Sequence, residues 1–107
     1  MLGIRRYGGA AIDLFQGELA LFAVDLVVPP TLAGLQSGDR QRARHVAVDA
    51  AQLGEQGQQA VMTLLKAFLS EPRQEATVRR ITLVTPNGDA YAALQEELFR
   101  TFPDEED

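Results

Sequence analysis

Short alternations and longer runs of apolar residues follow one another along this chain, and the changes of rhythm predict its strands and helices. Ala10-Ala11-Ile12-Asp13-Leu14-Phe15-Gln16 reads as a strand, because Ile12 and Leu14 alternate with Asp13 and glycines flank the run at Gly8-Gly9 and Gly17. A second strand is predicted at about 25–28. Leu26, Val27 and Val28 are consecutive there, the pattern of a strand covered on both faces, and Pro29-Pro30 ends the ladder. His45-Val46-Ala47-Val48-Asp49 reads as a third, buried strand. Gly54 and Gly57 form a turn into a helix at about 57–70, where Val61, Leu64, Leu65 and Phe68 repeat at helical spacing until Pro72. A fourth strand at about 77–84 has Ile81, Leu83 and Val84 as its core. Pro86-Asn87-Gly88-Asp89 is a turn with Asn87 or Asp89 as N-cap, leading to a helix at about 89–101. Tyr91, Leu94, Leu98 and Phe102 form its inner side. Residues 31–44 show no period, and Gly34 and Ser37-Gly38-Asp39 predict a loop with one helical turn near 39–43.

This order predicts an α/β fold: a mixed sheet of about four strands with two main helices. Residues 45–84 have the order of a βαβ unit, with the right-handed crossover that such units adopt. The 107 residues suit a single domain, read as 1–103, followed by an acidic run at 104–107 expected to be solvated and mobile. The formal net charge is −5, and the excess of acid lies in the second half, with ten acidic and five basic residues after position 54. That balance argues against a nucleic-acid partner, which needs clustered Lys and Arg. The absence of cysteine removes disulfides and thiolate metal sites. Arg5-Arg6 leads into glycines and Asp13 rather than a long apolar run, so a cytoplasmic protein with no membrane partner is expected.

Few residues suggest chemistry. Gly54 and Gly57, before a helix, suit backbone N–H donation to a phosphate, and they equally suit a turn that needs backbone freedom. Glu55 opposes the first reading by placing negative charge beside the anion. His45, the only histidine, has no acidic neighbour in sequence and reads as a surface or boundary residue. Arg40, Arg42 and Arg44 would share one face of an extended segment and could clamp a pyrophosphate, or else are solvated loop residues. No nucleophile–base pair, metal-ligand spacing or phosphate-loop motif occurs, so no catalytic residue, metal or cofactor is expected.

The stretch from Gly17 to Val28 resembles the beginning of a macro domain. That family has a strand, a G-D-I-T turn and then V-D-A-I-V-N-A-A-N; this chain has G-E-L-A from Gly17 and V-D-L-V-V-P-P-T-L from Val24. Residues 44–57 with the following helix, and then Val78–Val84 with Tyr91–Phe102, are similar to the family's late strand, phosphate loop and final strand and helix. The likeness covers about 80 residues in two blocks, and a typical macro domain is roughly half again as long.

The resemblance implies a truncated three-layer core and a site for ADP-ribose or a related adenine nucleotide. Glu18 stands where the family's aspartate meets the adenine amine. Gly54, Glu55, Gln56 and Gly57 stand for the phosphate loop. Pro29 and Leu32 replace the two asparagines near the distal ribose, so weak binding without hydrolysis is expected. Loss of the middle helices would uncover part of the sheet. Self-association through Leu32, Leu35 and the stretch from Leu19 to Phe22 is therefore expected, and a degenerate domain acting through protein contacts is the alternative.

Overall fold

The computed structural model describes residues 4–7, 9–18, 24–51, 53–70 and 77–102. The expectations for Leu19 to Phe22 and for 104–107 lie outside the described residues. Among the described residues five strands and three helices occur in the order β1 (Arg5–Tyr7), β2 (Ala10–Gln16), β3 (Leu26–Val28), α1 (Leu32–Arg40), β4 (His45–Asp49), α2 (Glu55–Ser70), β5 (Arg80–Thr85) and α3 (Gly88–Thr101). The sheet order is β1-β2-β5-β4-β3. β1 pairs antiparallel with β2 and every other pair is parallel, so the sheet is mixed as expected. β1 is added to the expected strands. It forms because Gly9, at φ +83°, supplies the left-handed residue of a tight reversal between Tyr7 and Ala10.

One residue in two along the strands faces the helices. Ile12, Val46, Val48, Ile81 and Leu83 form one buried cluster with Leu35 of α1, with Val61, Met62, Leu65 and Phe68 of α2, and with Leu94 and Leu98 of α3. The helical periodicities of 57–70 and 89–101 place Val61, Leu65, Phe68, Leu94, Leu98 and Phe102 inside, whereas Leu64 and Tyr91 are only partly covered. Asn87 is the N-cap, its Oδ1 accepting from the Asp89 and Ala90 N–H groups.

Residues 31–44 are not a loop. Thr31 caps a nine-residue helix by accepting from Gly34 N–H at 3.0 Å. Gly34 and Gly38, poor helix formers by propensity, are what lets α1 pack closely. A methyl group on Gly34 would stand 2.6 Å from the Pro29 carbonyl oxygen, and one on Gly38 would stand 2.9 Å from Val78 and 3.0 Å from Val46. Asp39 then accepts from the Thr77 and Val78 N–H groups and ties the end of α1 to the entry of β5. Arg40 ends the helix, Arg42 turns left-handed at φ 60°, and Arg44 precedes β4, so the three arginines form no extended stripe.

Leu35 is buried, which removes it from the expected association surface, whereas Leu32 is 40% exposed. β3 is an edge strand, and Val27 on it is 47% exposed. The consecutive Leu26-Val27-Val28 therefore does not mark a strand covered on both faces. Among the described residues no helix is long and apolar enough to cross a membrane.

Candidate functional site

Because β2, β5, β4 and β3 run parallel, their carboxyl ends share one edge of the sheet, and each of the three helices begins at that edge. Glu18 lies two residues beyond β2, exposed. Gly54 immediately precedes α2, and Glu55, Gln56 and Gly57 form that helix's first turn. Only β5 separates β2 from β4, so the two segments leave the sheet about 10 Å apart, two strand spacings. Between them Gly88 starts α3, and a methyl group there would stand 3.3 Å from the Gln16 carboxamide nitrogen. Pro29 and Leu32 follow β3 at the same edge.

The two glycines of the α2 entry differ in their reasons. A methyl group on Gly57 would stand 3.0 Å from Leu53 Cδ2, so Gly57 makes room for the Leu53 side chain against the core. Gly54 has nothing within 4 Å of that position and no left-handed backbone. Neither packing nor conformation requires a glycine there. The first-turn N–H groups of a helix lack intrahelical acceptors and carry the positive end of the dipole, so this entry can receive an anion. Glu55, exposed in the same turn, weakens that attraction.

Sequence reading passed over Gln58. It begins the stripe Gln58, Val61, Met62, Leu65, spaced i, i+3, i+4, i+7, and is 8% exposed. A polar residue in register with the buried face was the available signal.

A second polar group sits on the opposite sheet face. Asp13, Thr82, Arg80 and His45 occupy β2, β5 and β4 in register. Thr82 Oγ1 donates to Asp13 Oδ1 at 2.6 Å, and Arg80 donates to Asp13 Oδ2 through both Nε and Nη2. His45 Nε2 lies 2.8 Å from Thr82 Oγ1. An ionised carboxylate only accepts, so the Thr82 proton points to Asp13 and His45 Nε2 must donate to Thr82. His45 thus reaches an acidic residue through a threonine, a link that sequence neighbours do not reveal. Burial pushes its imidazole below the ordinary value of 6.5, and the Arg80 guanidinium acts the same way against the opposing Asp13 and Asp25 carboxylates. Asp25 Oδ2 accepts from the Arg44 and His45 N–H groups, and those hydrogen bonds hold its carboxyl below the usual 3.8. Asp25 therefore fastens the edge strand to its neighbour.

Comparison of the chain with protein-family models, with curated proteins and with solved structures gives no match.

Proposed function

We propose that the carboxyl edge of the sheet binds an adenine nucleotide of the ADP or ADP-ribose type, weakly and without hydrolysing it. The observation that carries this reading is the common edge of Glu18 and the Gly54–Gly57 helix entry, on either side of β5. Ligands of open α/β sheets sit outside the carboxyl ends of parallel strands, where an adenine and a phosphate can lie beyond two strands separated by a third. Glu18 offers an acceptor for the adenine amine, and the first turn of α2 offers donors for phosphate. The likeness to macro domains points to the same ligand class. Pro29 and Leu32 offer no side-chain hydrogen bond to a distal ribose, so a water attacking there would not be positioned.

Calorimetry with ADP, ADP-ribose and AMP tests this. ADP and ADP-ribose should bind about equally, near the millimolar range or about −4 kcal/mol, and Glu18→Ala should weaken both alike. A strong preference for ADP-ribose would mean that a distal-ribose site exists after all. Silence from all three ligands would sink the reading in favour of a second one, self-association. That alternative draws on Val27 of β3 and Leu32 of α1, two exposed large apolar residues. Sedimentation at micromolar concentration reports it directly.

A further inference from the structure

We propose that Gln58 is a ligand-reading residue that takes a ribose hydroxyl, so that the site selects a ribonucleotide over its deoxygenated counterpart. This rests on the nucleotide reading above and assigns the sugar a partner in this chain. Gln58 lies in the middle of the inward face of α2, between the directions of Val61 and Met62, and more than nine-tenths of its surface is buried. Its carboxamide makes no hydrogen bond to any described residue. Among the described residues the one fully buried side-chain nitrogen or oxygen without a partner is Arg5 Nε. The polar end of Gln58 therefore still touches solvent although its stem is enclosed.

Geometry says where that opening lies. Helical side chains lean toward the helix N-terminus, and the N-terminus of α2 is at the carboxyl edge of the strands. The first turn of α2 is exposed at that edge, so the carboxamide leans toward the carboxyl ends of the strands. A buried-face position without a partner is costly for a glutamine, and an apolar residue would suit the fold better.

The hydrogen-bonding inventory then selects the ligand group. A carboxamide offers an acceptor oxygen and a donor nitrogen together. Phosphate oxygens use only donors, which the backbone of the helix entry already supplies. A hydroxyl, or a pair of neighbouring hydroxyls, uses both halves of the amide. An adenine near Glu18 and a phosphate at the α2 entry place the joining ribose between them, at the end of α2 toward which Gln58 leans.

The test is nuclear magnetic resonance titration of the full chain with ADP and with its dideoxyribose analogue, on wild type and on Gln58→Met. Wild type should bind ADP about tenfold more tightly than the analogue, the value of one or two hydrogen bonds. Gln58→Met should erase that difference by weakening ADP alone, and its melting temperature should stay the same or rise. Equal binding of the two nucleotides by wild type would overturn the proposal, and so would a parallel loss of both in a variant with an unchanged melting temperature. If Gln58→Met fails to fold, the comparison on wild type still decides. Absence of ADP binding altogether would instead remove the nucleotide reading, and this inference with it.

Discussion

Thr82 is the residue on which the second sheet face turns, because it is buried and joins two groups that cannot join each other. Its hydroxyl donates to Asp13 and accepts from His45. Thr82→Val keeps the shape and removes both bonds, leaving an acceptor and a donor with less than they need. The loss should be about 1–3 kcal/mol in chemical denaturation; a change below a few tenths would mean that water replaces the hydroxyl. His45 gives a separate test by pH. Its folded-state value lies below 6.5, so the unfolded chain takes up the proton first. Stability is then full above about pH 7 and declines as the pH falls through 6.5. His45→Gln keeps a donor for Thr82 and cannot titrate, so melting temperature should vary less between about pH 7 and pH 5 than in wild type. The depressed Asp25 carboxyl also contributes stability above 3.8 that is lost as the pH falls further, a window distinct from that of His45. A wild-type melting temperature flat from pH 7 to pH 5 would contradict the assignment.

Among the elements, α1 and the entry of α2 use glycine in opposite ways, and two substitutions separate them. Gly38→Ala inserts a methyl group against Val46 and Val78 and should cost about 1–3 kcal/mol. Gly54→Ala meets open space and should leave the melting temperature almost unchanged while weakening ADP, because the added methyl group stands at the anion entry. A Gly54→Ala protein that binds ADP as well as wild type would show that the entry is only a turn. The same contrast explains which elements can be read from the sequence. α2 buries residues at i, i+3, i+4 and i+7 and α3 buries Leu94 and Leu98 at i and i+4, so both are legible in the pattern of residues. α1 carries a single buried leucine, Leu35, and packs with Gly34 and Gly38, so its stability comes from tertiary contact that no local period records. β1 is three residues long and depends on a turn at Gly9, again with too little pattern to see. At the candidate site, Glu18 and Gly54–Gly57 are put forward on resemblance alone, and the topology brings both segments to the carboxyl edge. Gln58 was hidden because a glutamine inside a helix looks solvated until its neighbours Val61, Met62 and Leu65 are seen to be buried.

For the molecule as a whole, the parallel topology separates three regions that could act independently. The carboxyl edge gathers the starts of the three helices with Glu18, Gln16 and Gln58. The second sheet face carries the Arg80–Asp13–Thr82–His45 network. β3 exposes Val27, and the start of α1 exposes Leu32. Only the first combines a helix entry with an enclosed, unpartnered carboxamide, and the proposed ligand site lies there. The most direct test is to map backbone amide chemical shifts while millimolar ADP is added to the full chain. The account predicts saturable changes concentrated at Gly17–Glu18, Gly54–Gln58 and Asn87–Gly88, with His45 and Arg80 on the other face unmoved. No saturable change at those positions, or changes confined to the second face or the β3 edge, would contradict it.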